Sequence, residues 1–155
     1  MAETTQEKAE EQISADIAKI DKLAGFGHED PILYTLTSVF PYDFFPTKMS
    51  IEKTKVNIVR HIFFGAREIE SILISEISNV EVFTSLFFAS LQVTVRLPSV
   101  PPKVVKYLRV DETLRAQRII QGLMTGLSLH VDLSQVPVRE LRDKIEQLGM
   151  AKAVM

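Results

Sequence analysis

An alternation of apolar and polar residues across residues 55–97 constrains the fold of this chain more than any other feature. In its first part, Val56 and Ile58 share one face of an extended chain, and the residues between them share the other. A period of two with many β-branched residues is typical of a strand with one buried face. The pattern breaks at Gly65 and then returns three times before residue 97. The stretch therefore predicts a β-meander.

The neighbouring segments extend this pattern, so that the sequence predicts seven strands in total. Pro98, Pro101 and Pro102 punctuate a loop before the last strand, because proline lacks the N–H that a ladder needs. The predicted strands cover residues 32–40, 48–53, 55–64, 66–75, 77–84, 89–97 and 103–108.

The chain changes character at Asp111, a good N-cap that precedes a broad apolar stripe at helical spacing. We expect an amphipathic helix that packs on the sheet and ends near Gly126. The small residues Gly122 and Gly126 are expected to let this helix pack closely against the β domain. Pro137 suits the start of a further helix, which is expected to end at Gly149.

A separate helix is predicted before the β domain. Apolar residues recur at helical spacing through residues 3–24, and Gly25 and Gly27 supply a stop. A chain of 155 residues suits one domain with its own core. The predicted organisation is an N-terminal amphipathic helix at 1–24, a linker at 25–31, a β domain at 32–127, and a connector with a C-terminal helix at 128–155.

The predicted fold class is α+β, with short antiparallel strands followed by an amphipathic helix. This order resembles the bacterial pleckstrin-homology-like (PH-like) domain family. A basic strand at residues 55–60 and the Ser75-Glu76-Ile77 step before a valine-rich hairpin also resemble that family. The resemblance covers residues 32–127. It implies a seven-stranded antiparallel PH-like barrel capped by a C-terminal amphipathic helix. The helical spacing described above adds an extra helix at each terminus.

The resemblance also implies a non-enzymatic scaffold that binds through its loops, the barrel mouth or an exposed strand edge. Members that bind phosphoinositides carry a lysine, a spacer and a basic-x-basic pattern across the first hairpin. In this chain Arg60 is followed by His61 and Ile62, so the closing basic pair is missing. Specific phosphoinositide recognition is therefore not predicted.

The residues show no pattern typical of catalysis or metal binding. His28, His61 and His130 are too far apart in the chain for a local metal motif, and cysteine is absent. Glu68 and Glu70 would share one strand face, where we expect a solvated edge. We predict that the chain is not an enzyme and has no catalytic residue, cofactor or metal. The net charge of −2 gives no global attraction to nucleic acid, so no such partner is predicted.

An aromatic segment at residues 40–46 admits two interpretations. Pro41 and Pro46 prevent a continuous strand or helix, and Phe40, Tyr42 and Phe44 lie around and between them. The segment is either a corner that folds its aromatic side chains over one end of the sheet, or an exposed hydrophobic contact site.

Basic residues concentrate in the β domain, while much of the acidity lies in the terminal helices. A locally basic surface attracts anionic lipid headgroups, by about 1 kcal/mol for each well-placed cation. An apolar hairpin tip at residues 86–88 could add a wedge, or its rings could turn inward. The predicted lipid or partner contacts are Lys48, Lys53, Lys55, Arg60, Arg67, Leu86, Phe87 and Phe88.

The terminal helices carry narrow apolar seams that need a partner. Each seam docks either on the domain itself or on another chain. The predicted helix-mediated contacts are Ile13, Ile17, Ile20, Val138, Leu141, Ile145 and Leu148.

These patterns together predict a non-catalytic cytoplasmic PH-like binding or adaptor module that acts through protein–protein contacts, including self-association. The alternative is a peripheral membrane module that binds anionic lipid through the basic strands and the hairpin tip. The acidic, polar N-terminus differs from a secretory signal. The predicted location is cytoplasmic, with peripheral attachment at the inner membrane face under the alternative.

Overall fold

The structure is a computed structural model that describes residues 12, 15, 30–133 and 135–154. Apart from residues 12 and 15, the predicted N-terminal helix lies outside the described residues, as do its seam at Ile13, Ile17 and Ile20 and residues 25–29 of the predicted linker. Pro31–Met155 forms a compact unit, and the fold below is that of the described residues within it.

Seven antiparallel strands form two separate sheets. The first sheet has the order β1-β2-β3-β4 and the second has the order β5-β6-β7. Single-turn 3₁₀ helices follow β3, at Phe63–Gly65, and β4, at Ile74–Glu76. The strands are β1 Tyr34–Thr37, β2 Lys48–Ile51, β3 Lys55–His61, β4 Arg67–Leu73, β5 Ile77–Thr84, β6 Ala89–Val95 and β7 Lys103–Leu108.

Two helices follow the strands, α1 at Val110–Ser128 and α2 at Val138–Val154. The α+β class with antiparallel sheets is thereby confirmed. The predicted helix stops at Gly126 and Gly149 are wrong, because both glycines lie inside their helices. Gly149 is buried against the backbone of Arg118, so its small size serves packing rather than helix termination.

A single core lies between the sheets and beneath the helices. Every second residue of the central strands points into it, because successive strand residues face opposite sides. Both helices contribute to the same cluster. Its fully buried members include Met49, Ile51, Val56, Ile58, Ile77, Leu91, Val93, Leu108, Ile119, Ile120, Leu123, Leu141 and Ile145.

The two sheets are joined by a few specific bonds. Just after β1, the Val39 N–H donates to the Tyr107 carbonyl oxygen at 2.8 Å. The Lys103 ammonium of β7 pairs with the Glu70 carboxylate of β4. Each sheet keeps its own ladder, and no ladder between described strands joins the four to the three.

Helix α2 docks on α1 through close backbone contact and a buried charge. A Cβ at Gly122 would overlap the Ile145 carbonyl oxygen, so this glycine permits the two backbones to meet. The expectation that Gly122 packs against the β domain is therefore wrong. Nearby, the Glu146 carboxylate accepts hydrogen bonds from Arg115 Nε at 2.9 Å and from an Arg118 guanidinium nitrogen at 3.0 Å.

Candidate functional site

An aromatic surface lies at one end of the described unit. We call it the aromatic end. It combines the loop between β1 and β2, the 3₁₀ turn after β3, the β5–β6 hairpin tip, and one residue of β7. Its members are Phe40, Tyr42, Phe44, Phe45, Phe63, Phe64, Leu86, Phe87, Phe88 and Tyr107.

The loop between β1 and β2 is fixed by polar contacts at its base. The Ser38 hydroxyl donates to Asp43 Oδ2 at 2.7 Å and accepts from the Thr47 N–H at 2.8 Å. The Val39 N–H bonds to β7, as described above. Because these polar groups bond to one another at the base of the loop, the aromatic side chains of the loop face the solvent.

Ring contacts connect this loop to both sheets. The ring centroids of Phe45 and Phe63 are 4.8 Å apart, which links the loop to the turn after β3. The centroids of Tyr42 and Phe88 are 4.6 Å apart, which links it to the β5–β6 hairpin. Tilted and edge-on ring pairs at such distances are favourable. The loop therefore bridges the tips of the two sheets with one aromatic layer.

Several side chains of this layer are largely open to solvent. Phe64 is fully exposed, Leu86 is 84% exposed, and Phe44 and Phe87 are each 74% exposed. Phe88 is half-buried. An exposed apolar cluster of this kind marks an interaction surface. The interpretation of the 40–46 segment as an exposed contact site fits this geometry better than burial over the sheet.

The predicted break at Gly65 coincides with the turn after β3, but the turn already begins at Phe63, so the prediction that the strand includes Phe63 and Phe64 is wrong. Phe64 has φ 63° and Gly65 has φ 76°, so the chain reverses tightly here. A left-handed conformation is uncommon for a residue other than glycine. The one available signal was the position of Gly65, directly after two phenylalanines.

The predicted basic contacts divide between the two ends of the first sheet. Lys48 directly follows the aromatic loop, and Arg67 begins β4 just after the aromatic turn. Both are exposed, and neither has an ion-pair partner within the part of the chain that the structure describes. Arg60 is committed internally, since it lies 3.9 Å from Glu68 and donates to the Val104 carbonyl oxygen at 3.4 Å.

Lys53 and Lys55 lie at the opposite end, around the β2–β3 hairpin. Lys55 Nζ is 3.5 Å from Glu52 Oε2, which offsets its charge. Lys48 begins β2 and Lys53 follows its end, so the length of one extended strand separates them and closeness in sequence did not reveal the division. The structure therefore brings Lys48, Arg67, Leu86, Phe87 and Phe88 to one end and separates Lys53 and Lys55 from them.

A cleft of about 540 Å³ lies away from the aromatic end, between β4 and the loop that joins β6 to β7. Ile72, Val95 and Leu97 supply apolar walls. The Glu70–Lys103 pair lies in the same cleft, where Glu70 Oε2 is buried and has no hydrogen-bond partner. A second groove of about 480 Å³ lies beside Phe40 and the start of α1.

Among the described residues, two groups have displaced pKa values, Tyr34 of β1 and Glu146 of α2, and both lie close to arginines of the helices. Burial raises the pKa of Tyr34, and the nearby Glu112 carboxylate adds to this effect. Burial opposes ionisation of Glu146, but hydrogen bonds from Arg118 and Arg115 outweigh it and lower the pKa of that carboxyl. Both shifts belong to the packing of α1 and α2 on the sheets.

The predicted seam of the C-terminal helix faces its own domain. Leu141 and Ile145 are fully buried in the core, Val138 packs against it, and Leu148 is half-buried. The sequence left open whether this seam docks on its own domain or on another chain. In the structure it docks on its own domain.

Neither a metal-binding group nor a membrane span is present in the described residues. They contain no cluster of three His, Cys, Asp or Glu side chains that could hold an ion. No helix among them is long and apolar enough to cross a bilayer. In comparisons with known proteins, no family model and no curated protein matches the chain.

Proposed function

We propose that the chain is a non-catalytic PH-like module that attaches to an anionic membrane surface through the aromatic end. The observation that carries this proposal is the exposure of Phe44, Phe64 and Phe87 on three separate loops at one end of the unit. Attachment is peripheral, and the cytoplasmic face of the membrane is the surface proposed.

The PH-like assignment rests on the order and grouping of the elements. Seven antiparallel strands and then a long amphipathic helix follow one another, as the resemblance implies, and the strands form sheets of four and three. The bond from Val39 to Tyr107 ties the first sheet to the second, which supports their treatment as one barrel with an open seam. On this basis we propose the seven-stranded PH-like barrel with α1 as its cap.

Insertion of loop tips explains the aromatic end physically. Apolar and aromatic side chains gain free energy when they leave water for the region between headgroups and acyl chains. Cations beside such tips add attraction to anionic headgroups, about 1 kcal/mol for each. Lys48 and Arg67 occupy that position, whereas Asp43 is engaged in bonds within the loop.

Vesicle co-sedimentation tests the proposal. We expect the wild type to bind vesicles of phosphatidylcholine with phosphatidylserine, and binding to weaken as salt screens Lys48 and Arg67. Phe64→Asp and Phe87→Asp should each reduce the affinity by about tenfold or more, since a carboxylate at the insertion site is both costly and repelled.

Leu129→Asp provides a matched control, because Leu129 is an exposed apolar residue at the far end of α1. It should change vesicle affinity by less than about twofold, as expected for a surface change away from the contact. Absence of wild-type binding, or equal losses in all three variants, would exclude the aromatic end as a membrane contact.

Docking onto a protein surface is the second candidate. Rigid aromatic anchors are the residues that dominate protein interfaces, and the Phe45–Phe63 and Tyr42–Phe88 ring pairs hold such anchors in place. Self-association is the form of protein docking that can be tested with the purified chain alone. A sedimentation equilibrium that shifts to monomer in Phe64→Asp, without vesicle binding by the wild type, would select this candidate.

A further inference from the structure

We propose a second binding site that goes beyond the proposed function. The outer edge of β4 takes an extended peptide segment of a partner protein, which adds to the first sheet as a fifth strand. The segment places a basic side chain against Glu70.

The backbone groups at this edge follow from the ladder geometry. The Ile62 N–H donates to the Ala66 carbonyl oxygen and the Ile74 N–H donates to the Thr54 carbonyl oxygen, each at 2.8 Å. The register between β3 and β4 runs without a bulge between these two bonds. Antiparallel partners alternate between bonded and non-bonded pairs. The even-numbered residues of β4 therefore bond to β3, and the odd-numbered ones direct their N–H and C=O groups outward.

Four consecutive odd-numbered residues, Arg67, Ile69, Ser71 and Leu73, carry these outward groups. All four are exposed, and no backbone bond from them to another described residue is present beyond the ladder with β3. β4 contains no proline that would block pairing. By contrast, α1 reaches the β5 edge, where the Gln117 side chain donates to the Val80 carbonyl oxygen at 3.1 Å. An open row of donors and acceptors is a template for strand addition.

The side chains at this edge specify the chemistry of the segment. Glu70 faces inward into the cleft of about 540 Å³, and its Oε2 atom is buried without a hydrogen-bond partner. A basic side chain from an added strand would meet this atom in a charge-assisted hydrogen bond. On the outer face, Ile69 is 66% exposed and Leu73 is also exposed, so apolar cross-strand neighbours fit there. The segment therefore alternates apolar and basic residues.

A second copy of this chain fits the edge less well than such a segment. Full antiparallel overlap of two β4 strands pairs Arg67 with Leu73 and places the two Glu70 carboxylates directly opposite each other. Like charges at opposed positions destabilise a sheet. Charge complementarity thus favours a basic segment over self-pairing.

Titration of the isotopically labelled full chain with short peptides tests this site. The probe is an acetylated seven-residue peptide that alternates valine and lysine. Its controls are the valine–glutamate peptide and a valine–lysine peptide with alternate backbone nitrogens methylated. We expect saturable shifts of the Arg67, Ile69, Ser71 and Leu73 amide signals with the first peptide. Both control peptides should bind with an affinity lower by about tenfold or more.

Ile69→Pro supplies the matching change in the protein. The Ile69 N–H points away from β3, so proline there removes a donor that the peptide needs and leaves the β3–β4 ladder intact. Ile69→Thr retains the N–H and is the control. We expect Ile69→Pro to lose about tenfold or more in affinity and Ile69→Thr to stay within about threefold. Ser71→Pro repeats the test if Ile69→Pro lowers the unfolding temperature.

Three outcomes would overturn the site: no peptide binding by the wild type, binding that methylation of the peptide does not weaken, or shifts that map away from β4. Concentration-dependent shifts of the β4 amides without peptide would assign the edge to a second copy instead. Vesicle-binding variants at the aromatic end leave every one of these readouts unchanged, so the two proposals fail separately.

Discussion

Gly122 and Gly149 lie where the backbones of α1 and α2 meet. A Cβ at Gly122 would overlap the Ile145 carbonyl oxygen, and backbone atoms cannot yield as a side chain can. We expect Gly122→Ala to lower the free energy of unfolding by about 2 kcal/mol, as in overpacked cores. Denaturant titration would measure it.

Gly126→Ala is the matched control in the same helix. Its added Cβ would meet only the Leu133 side chain, at 3.5 Å, which is ordinary contact. Alanine also favours the helix by about 1 kcal/mol relative to glycine. This variant should therefore be as stable as the wild type or more so, and equal losses in both variants would contradict the assigned packing.

Glu146 makes the stability of the unit depend on acid pH. Its pKa in the folded chain lies below the ordinary value of 4.5, so the ionised carboxyl favours the folded state. That stabilisation is fully present above pH 4.5 and is lost as the pH falls through the lower folded-state pKa. Glu146→Gln should cost about 2 kcal/mol at pH 7 and progressively less in acid.

Thermal unfolding of both proteins from pH 7 to pH 3 would check the dependence on Glu146. Glu140→Gln is the control, because Glu140 pairs with Lys144 at 3.7 Å on an exposed face of the same helix. Such surface pairs contribute about 0.5 kcal/mol or less. A constant difference between wild type and Glu146→Gln across this range would exclude the linkage.

Residue-level inference from sequence succeeded where local pattern decides and failed where a distant neighbour decides. Gly149 resembles a helix stop, but it lies inside α2 in contact with the Arg118 backbone of another helix. Lys48 and Lys53 are close in sequence, yet the extended strand β2 places them at opposite ends of the sheet. Neither fact is encoded in spacing alone.

At the scale of elements, strand prediction was closest where the alternation is strict. The bounds of β5 and β7 agree with the predicted residues 77–84 and 103–108. The prediction for β3 continued to Phe64, because apolar residues persist past His61, where the chain already turns. That extension hid part of the aromatic end, since exposed rings and buried rings have the same sequence pattern.

Helix α2 is an integral part of the core. Leu141 and Ile145 are fully buried, and Glu146 forms ion pairs with two arginines of α1. Ending the chain after residue 136 should therefore lower the unfolding temperature by about 10 °C or more, because each lost aliphatic side chain costs about 2–5 kcal/mol. Circular dichroism and dye binding would detect the exposed core.

Gln147→Ala is the control for this truncation, since Gln147 is exposed on the same helix. It should leave the unfolding temperature within about 2 °C of the wild type. A truncated chain that unfolds at the wild-type temperature would show that α2 is dispensable.

At the scale of the whole molecule, the sheets share a core but are linked by few direct bonds. The Glu70–Lys103 pair is one of them. Lys103→Met keeps the apolar stem and removes the partner of Glu70 Oε1, so we expect a loss of about 1–2 kcal/mol in unfolding free energy. Denaturant titration would measure it.

Lys106→Met is the matched change on the same strand. Lys106 is exposed, and the structure gives it no ion pair with a described residue. It should alter stability by less than about 0.5 kcal/mol. Equal effects of the two substitutions would mean that the link between the sheets contributes nothing.

The class of the whole fold was predictable because period-two and helical patterns separate cleanly along the chain at residue 110. The grouping of seven strands as four and three was not, since each hairpin has the same local pattern whichever sheet it joins. The exposed side of the aromatic segment was also beyond reach. That exposure depends on the hydrogen bonds that the Ser38 hydroxyl makes with the Asp43 carboxylate and the Thr47 N–H. These bonds are visible only in the folded loop.

The seven residues of β4 extend over about 23 Å. This strand begins beside the Phe63–Gly65 turn and runs from there toward the cleft near Lys103, so the proposed peptide edge starts at the aromatic end and extends away from it. A molecule anchored by its rings would hold a captured peptide at a fixed height above the lipid. When lipid and peptide belong to one assembly, binding of either would raise the effective concentration of the other at this molecule.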